Sequence, residues 1–328
     1  MTLRLKTTCA PNPRIQPLVD GVVRVDGVEF DWDLRPVPML FRNNIADDDL
    51  ELSEMSISET LLTVDRKQAF GKGRWDWWGL PIYLSRGHFW GGMYVSAASG
   101  IQELSDLKGK QVGVPDYCMT AALWMRIVLK DLYGIETRDI SWHNLRPREQ
   151  SQAIALGLDK DPPPGVTVAW EVKDDPIALL ERGELDAAIG LRGRAFEVSD
   201  TVRKLMPDDG KQVFAEFFRK TGCFQPNHHF VIQRRLLDAQ PETAMALFNA
   251  FEQSKRVAYE RDRNAAFLYF DDGDFSGQSA VYGDDPYPPG LAVMRKTLER
   301  TVQGSLEQGL IRSPVIIDEL YHPRTLST

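Results

Sequence analysis

The stretch LKGKQVGVPDYCMTAALWMRIVLKDLYG, residues 107–134, constrains the fold of this chain more than any other. A short apolar strand, Gln111–Val114, is expected to run through Pro115 and Asp116 into a helix that opens near Met119 and closes at Gly134. A strand feeding a helix N-terminus presents free backbone N–H groups and the positive end of the helix dipole, a seat for a carboxylate or phosphate. The loop lacks the GxxxxGK[ST] and GxGxxG spacings, so it does not read as a nucleotide cradle. A small organic acid suits it better. The same unit also recurs as ordinary packing in α/β proteins, so the rest of the chain has to decide.

At 328 residues the chain is long enough for a large core divided over two lobes. Its hydrophobic share of 43% and charged share of 26% are those of a globular protein. The net charge of −8 argues against a protein that tracks a nucleic-acid backbone. No apolar run approaches the length of a membrane span, so neither nucleic acid nor membrane is expected as a partner. The opening residues, MTLRLKTTCAPNPR, begin with strand-like alternation and show no apolar export core, which leads to the expectation of a cytoplasmic protein. Cys9, Cys118 and Cys223 have no CxxC spacing, so neither a disulfide framework nor a structural zinc site is expected. Three reduced thiols fit the same compartment.

Strand and helix patterns alternate through the first third. Leu3–Thr7, Glu29–Arg35 and Leu50–Ser56 read as strands, with helices at Pro38–Ile45 and from about Ser58 to Arg66. Ile82–Ser96 reads as a long strand-rich stretch broken by glycines. Further strands are expected at Ile140–Asn144, Val166–Val172, before Arg192, and at His228–Arg234. Long helices follow from about Pro241 to Arg261 and from about Leu291 to Gly309. This rhythm calls for α/β architecture: two lobes, each a mixed, mostly parallel sheet flanked by helices. Lobe 1 would comprise residues 1–100 and 229–328, and lobe 2 the inserted 101–228, with crossings near 96–104 and 222–230. Ligands of open α/β sheets bind beyond the carboxyl ends of strands, here in the expected cleft between lobes.

The segments LSEMSIS, GVPDYCMTAALWMR, RGELDAAIGLR, TGCFQPNHHFVIQRR and YPPGLAVMRKTLE, together with ELYHPRTL, resemble the 4,5-dihydroxyphthalate decarboxylase family. The resemblance runs nearly end to end. It implies a type II periplasmic-binding-protein-like fold used as an enzyme, a small aromatic carboxylate as substrate, carbon dioxide as product and no organic cofactor; no metal ligands are assigned, and assistance by a divalent ion is left open. One segment departs from the pattern. Relatives follow the arginine equivalent to Arg86 with a small residue, Phe, Arg, His and Ser, whereas this chain reads Gly87, His88, Phe89, Trp90 and Gly91. Phe89 and Trp90 thus replace a charged pair, which suits a ligand with fewer acidic groups or a larger aromatic one.

Decarboxylating an electron-rich ring calls for a positioned acid at the ring face, cations for a spectator carboxylate and an acceptor for a phenolic proton. His228 matches the family histidine and is the candidate proton donor, titrating near neutral pH. Neighbouring His229 should point to the opposite strand face. Glu54 is the second candidate catalytic residue, accepting a phenolic proton or orienting His228. Arg14, Arg86 and Arg192 match family arginines whose forked guanidinium suits carboxylates. Ser56 and Ser58 offer hydroxyls to substrate or caps to a helix. Met119 and Thr120 sit where the helix N-terminus would meet the ligand, and His88 lies beside Arg86. His143 fits either core or site wall, His322 is expected at the surface, and Trp75, Trp77 and Trp78 are expected to pack. The alternatives to a carboxy-lyase are a non-catalytic binder of aromatic carboxylates, as in solute-binding proteins, and another lyase on the same scaffold. A homo-oligomer is left open.

Overall fold

In the computed structural model, residues 2–37, 39–40, 49–66, 76–86, 92–172, 174–191, 199–268 and 275–328 are described. Among them the chain divides into two units. The first comprises Met1–Gly87, Phe224–Arg300 and Val315–Thr328; the second comprises His88–Cys223 and Thr301–Pro314.

The first unit is built on strands β1 (Leu3–Cys9), β2 (Val28–Leu34), β3 (Leu52–Ser56), β4 (Trp77–Arg86) and β11 (Pro226–Gln233). Their order is β2-β1-β3-β11-β4. β1 is parallel to β2 and β3, whereas β11 runs antiparallel to both β3 and β4. The alternation in Leu3–Cys9 explains β1: Leu5 is fully buried between exposed Arg4 and Lys6. One face of the sheet carries Leu5, Leu52, Phe230 and Ile232 against Leu247 and Phe251 of the long helix Thr243–Arg261. The other face meets helix α1 (Ile57–Arg66), which starts directly from the end of β3.

The second unit holds β5 (Tyr94–Ser96), β6 (Gln111–Val114), β7 (Ser141–Asn144), β8 (Val168–Ala169), β9 (Ala187–Ala188) and β10 (Val202–Lys204). Their order is β10-β5-β9-β6-β7-β8. β6 is parallel to β7 and β9, and β5 is antiparallel to β9 and β10. Helix α2 (Thr120–Tyr133) follows β6, with Met119 at its N-cap and Gly134 at its C-cap. Gly134 takes φ +67°, the left-handed turn that ends helices and suits glycine. Every residue from Thr120 to Leu129 is buried, so α2 is a core helix.

Both sheets are mixed, and several boundaries move from those read in the sequence. The long stretch Ile82–Ser96 is split: β4 belongs to the first sheet, and β5 pairs with β9 and β10 in the second. The strand expected over Val166–Val172 is only Val168–Ala169, and the one before Arg192 is Ala187–Ala188. β10 and helix α3 (Lys211–Thr221) were not read from the sequence at all. The unit boundaries fall at Gly87/His88 and Cys223/Phe224, and Thr301–Pro314 groups with the second unit. The cause of that last assignment is visible at Gln308, which receives Arg126 Nε at 2.6 Å and donates to the carbonyl of Leu123 at 3.0 Å. Within the expected helix at Pro38–Ile45, 38 and 41–45 lie outside the described residues.

Candidate active site

Strands β3 and β11 lie side by side with His228 opposite Ser56 and Phe230 opposite Glu54. Side chains opposite each other, or two apart along a strand, share a face. His228 and Glu54 are therefore diagonal neighbours on one face. Nδ1 of His228 lies 2.6 Å from Oε1 of Glu54. The other carboxylate oxygen, Oε2, accepts the Ala10 N–H at 2.7 Å. With His228 6% and Glu54 1% exposed, the pair is buried and its geometry fixed from both ends. A carboxylate held in this way keeps a proton on Nδ1 and aims the ring, leaving acid–base work to Nε2. The same carboxylate stands near Cys9, whose thiol is pushed up by burial and further by the Glu54 charge.

His229 turns to the opposite face. Its Nε2 lies 3.0 Å from Thr60 Oγ1 and its Nδ1 3.1 Å from the Tyr321 hydroxyl. Thr60 has one hydroxyl proton, and it goes to the Ser56 carbonyl at 2.9 Å. Thr60 must then accept from His229 Nε2–H, and Nδ1 accepts from Tyr321 O–H. Burial, helped by the charge of His228, lowers the His229 pKa to about 3. His229 is thus a neutral tie between α1, β11 and the chain's C-terminal segment. On the other side of β11 the ladder to β4 slips at His228 and again at His229, so these residues sit at irregular pairings, a setting that re-aims side chains.

Two arginines expected to hold a substrate carboxylate are otherwise engaged. Arg86 is 3% exposed; its Nη1 donates to the Pro286 carbonyl at 2.9 Å and its Nη2 to the Phe224 carbonyl at 2.7 Å. The guanidinium lies over the Phe224 ring at 4.2 Å, and burial lowers its pKa to about 10. Arg14 donates to the carbonyls of Ala265 at 2.9 Å and Leu84 at 2.8 Å and stacks on Tyr287 at 3.7 Å. Both strap the segment 283–290 to the first sheet. Lys255 completes the strap through Asp285 and through the Tyr287 carbonyl at 3.0 Å. Sequence reading missed Lys255, although its place in a long helix with 8% side-chain exposure marks it as unusual for a lysine.

Ser56 and Ser58 are buried at the β3–α1 junction, within 2% and 0% exposure, where Ser56 Oγ accepts the Glu59 N–H at 3.5 Å. Thr120 is 3% exposed at the start of α2, in the second unit, with Met119 half-buried before it. His88 and Arg192, like Trp75, Phe89, Trp90 and Arg194, lie outside the described residues. His143, on β7, bonds Gln111 Oε1 through Nε2 at 2.6 Å, and burial lowers its pKa. His322 is not at the surface: it is 5% exposed and meets Trp78 edge-on at 5.5 Å. Trp78 also carries the Arg234 guanidinium at 3.5 Å, a packing role. Asp116, which the sequence reading placed in the loop before α2 without a role, is fully buried and accepts the N–H groups of Gln152 at 2.7 Å and Ala153 at 3.0 Å.

No family model matches the chain. Among solved structures, the periplasmic aliphatic sulphonate binding protein of Escherichia coli is similar over 99% of this chain and 98% of its own, with a TM-score of 0.53 and 14% identity. A protein of Archaeoglobus fulgidus is similar over 94% of this chain and 98% of its own, with a TM-score of 0.51 and 15% identity. These likenesses establish the periplasmic-binding-protein fold. Individual proteins go further. The 4,5-dihydroxyphthalate decarboxylase of Comamonas testosteroni is 29% identical over 332 residues, covering 99% of this chain and 98% of its own. That of Pseudomonas putida is 32% identical over 182 residues, 55% of this chain and 67% of its own. With the fold, the buried imidazole–carboxylate pair and this identity taken together, the chain belongs to the 4,5-dihydroxyphthalate decarboxylase family.

Proposed function

We propose that this chain is a carboxy-lyase that decarboxylates a hydroxylated aromatic acid, 4,5-dihydroxyphthalate or a close analogue. The observation that carries the mechanism is the buried pair of His228 and Glu54, 2.6 Å apart, in a member of this family. A para hydroxyl feeds electrons into the ring while His228 delivers a proton from Nε2 to the carbon bearing the carboxylate. The bond to the carboxyl group then breaks, its electron pair returns to the ring, and carbon dioxide leaves. One proton is taken up from solvent per turnover to recharge His228. Glu54 stabilises the imidazolium before transfer and holds the ring in place. Arg192 is assigned to substrate binding by resemblance, and Ser58, Thr120 and His88 by their places in the chain: after β3, at the start of α2 and beside Arg86. Arg14 and Arg86 are not, because their guanidinium groups already serve main-chain carbonyls.

Among the described residues no helix is long and apolar enough to cross a membrane. Three buried cysteines, none in a disulfide, favour a reducing compartment, and we assign the protein to the cytoplasm.

The test is release of carbon dioxide, with the accompanying ultraviolet change, from a panel of hydroxyphthalates and hydroxybenzoates. Turnover of 4,5-dihydroxyphthalate above the others is expected. Tight binding of the whole panel without release would instead make the chain a solute holder.

A further inference from the structure

Arg126 lies in the second turn of α2 and is 2% exposed. Long helical side chains lean toward the helix N-terminus, and this one does so. Its Nη2 donates to the Tyr117 carbonyl at 2.8 Å, two residues ahead of the N-cap Met119. The guanidinium therefore lies alongside the first turn, stacked on the rings of Tyr117 at 4.2 Å and Trp142 at 5.2 Å. Nε is held by Gln308, but Nη1 has no partner, and no carboxylate among the described residues pairs with the group. Burial pulls its pKa below the usual arginine value. Asp116, in the same loop, accepts two backbone N–H groups and faces Arg146 at 3.5 Å. A neutral amide could tie Tyr117 and Gln308 together equally well, so packing alone does not account for a buried, uncompensated cation.

The start of α2 lies beside it. Met119 provides no side-chain cap, while Thr120, Ala121 and Ala122 are 3%, 2% and 0% exposed. A helix start is a seat for an anion, and methionine cannot supply one.

We infer that Arg126 is a positioning residue for substrate: a buried positive charge that, with the first-turn amides of α2, holds a carboxylate of the aromatic diacid at Thr120. This rests on the reading of the chain as acting on such an acid. Substrate would supply the counter-charge that Arg126 lacks.

The experiment uses phthalate, a diacid without the ring hydroxyls, and its uncharged dimethyl ester, titrated calorimetrically into wild type, Arg126→Met and Arg126→Lys. Thermal melts of each protein without ligand run alongside. Arg126→Met should weaken phthalate binding about tenfold or more and change ester binding no more than about twofold. Its melting temperature without ligand should hold or rise, because an uncompensated buried charge is gone. Unchanged phthalate affinity would overturn the inference, as would equal losses for both ligands with a lowered melting temperature, the mark of a packing role. Should Arg126→Met not fold, Arg126→Lys decides: it keeps the charge, and phthalate affinity within about tenfold of wild type supports the inference while total loss refutes it. A wild type that does not bind phthalate refutes it too. A wild type that binds phthalate yet releases no carbon dioxide from 4,5-dihydroxyphthalate removes the catalytic reading and leaves the anion site standing.

Discussion

His228 and Glu54 divide one task between a group that gives a proton and a group that decides which nitrogen carries it. Replacing His228 by Asn should lower kcat about 100-fold or more while moving the affinity for phthalate little. Steady-state rates and ligand titration separate the two effects. Glu54→Gln keeps the shape and removes the charge that favours the imidazolium, so kcat should fall at least about tenfold at fixed pH. Arg192→Ala should act chiefly on KM. His229, by contrast, serves stability. Its pKa of about 3 in the fold is lower than the ordinary histidine value of 6.5. The unfolded chain then binds more protons between these values. His229 thus adds stability that is present above pH 6.5 and is lost as the pH falls toward 3, by up to about 1.4 kcal/mol per pH unit. Denaturant melts across that range should show a shallower acid loss in His229→Gln. The residue types of the pair were legible in the sequence, and strand alternation foretold that the two histidines part. What could not be read was the fate of Arg14 and Arg86. Sequence gives a guanidinium and its place after a strand, but not the carbonyls of Ala265, Leu84, Pro286 and Phe224 that await it.

Elements whose signals are local were the ones the sequence revealed. The β6–α2 unit is bounded by Pro115 and Gly134, and its helix has a continuous apolar run, so its ends were readable to about a residue. β8 and β9 are two residues each, set by pairing with neighbours far along the chain, and no periodicity can reveal so short a strand. Close approach sets other limits. A Cβ on Gly79 would stand 3.1 Å from the Tyr321 ring and 3.2 Å from the Leu320 carbonyl. Gly79→Ala should therefore cost about 1–3 kcal/mol in a urea melt, part of it through displacing Tyr321 from His229. The strap over 283–290 belongs to this scale too. Lys255→Met leaves Asp285 without its ammonium partner, but that carboxylate is 39% exposed and can be rehydrated. A loss of about 1–3 kcal/mol is expected rather than the full cost of a stranded buried ion.

The first unit is assembled from three separated stretches of chain, where the sequence reading divided it into two. The sequence did not show that Thr301–Pro314 groups elsewhere, because the ties are long-range: Gln308 reaches Leu123 and Arg126, and Glu307 meets Lys130. Val315–Thr328 contributes Tyr321, fully buried, to the His229 network, and Thr325, also fully buried, to the same segment. Tyr321→Phe should keep the ring packing and remove one hydrogen bond, a loss of about 1 kcal/mol visible as a lower urea midpoint with an unchanged slope.

That three-part assembly bears on how the protein is made. A chain emerging from the ribosome delivers most of the inserted unit before Phe224 appears, so those residues can begin to pack early. The sheet that brings Glu54 and His228 together has to wait, its first three strands synthesised long before β11 and before the tyrosine that braces it. Nascent β1–β3 therefore spend most of translation with an open edge, and it is there that a holding chaperone would be needed.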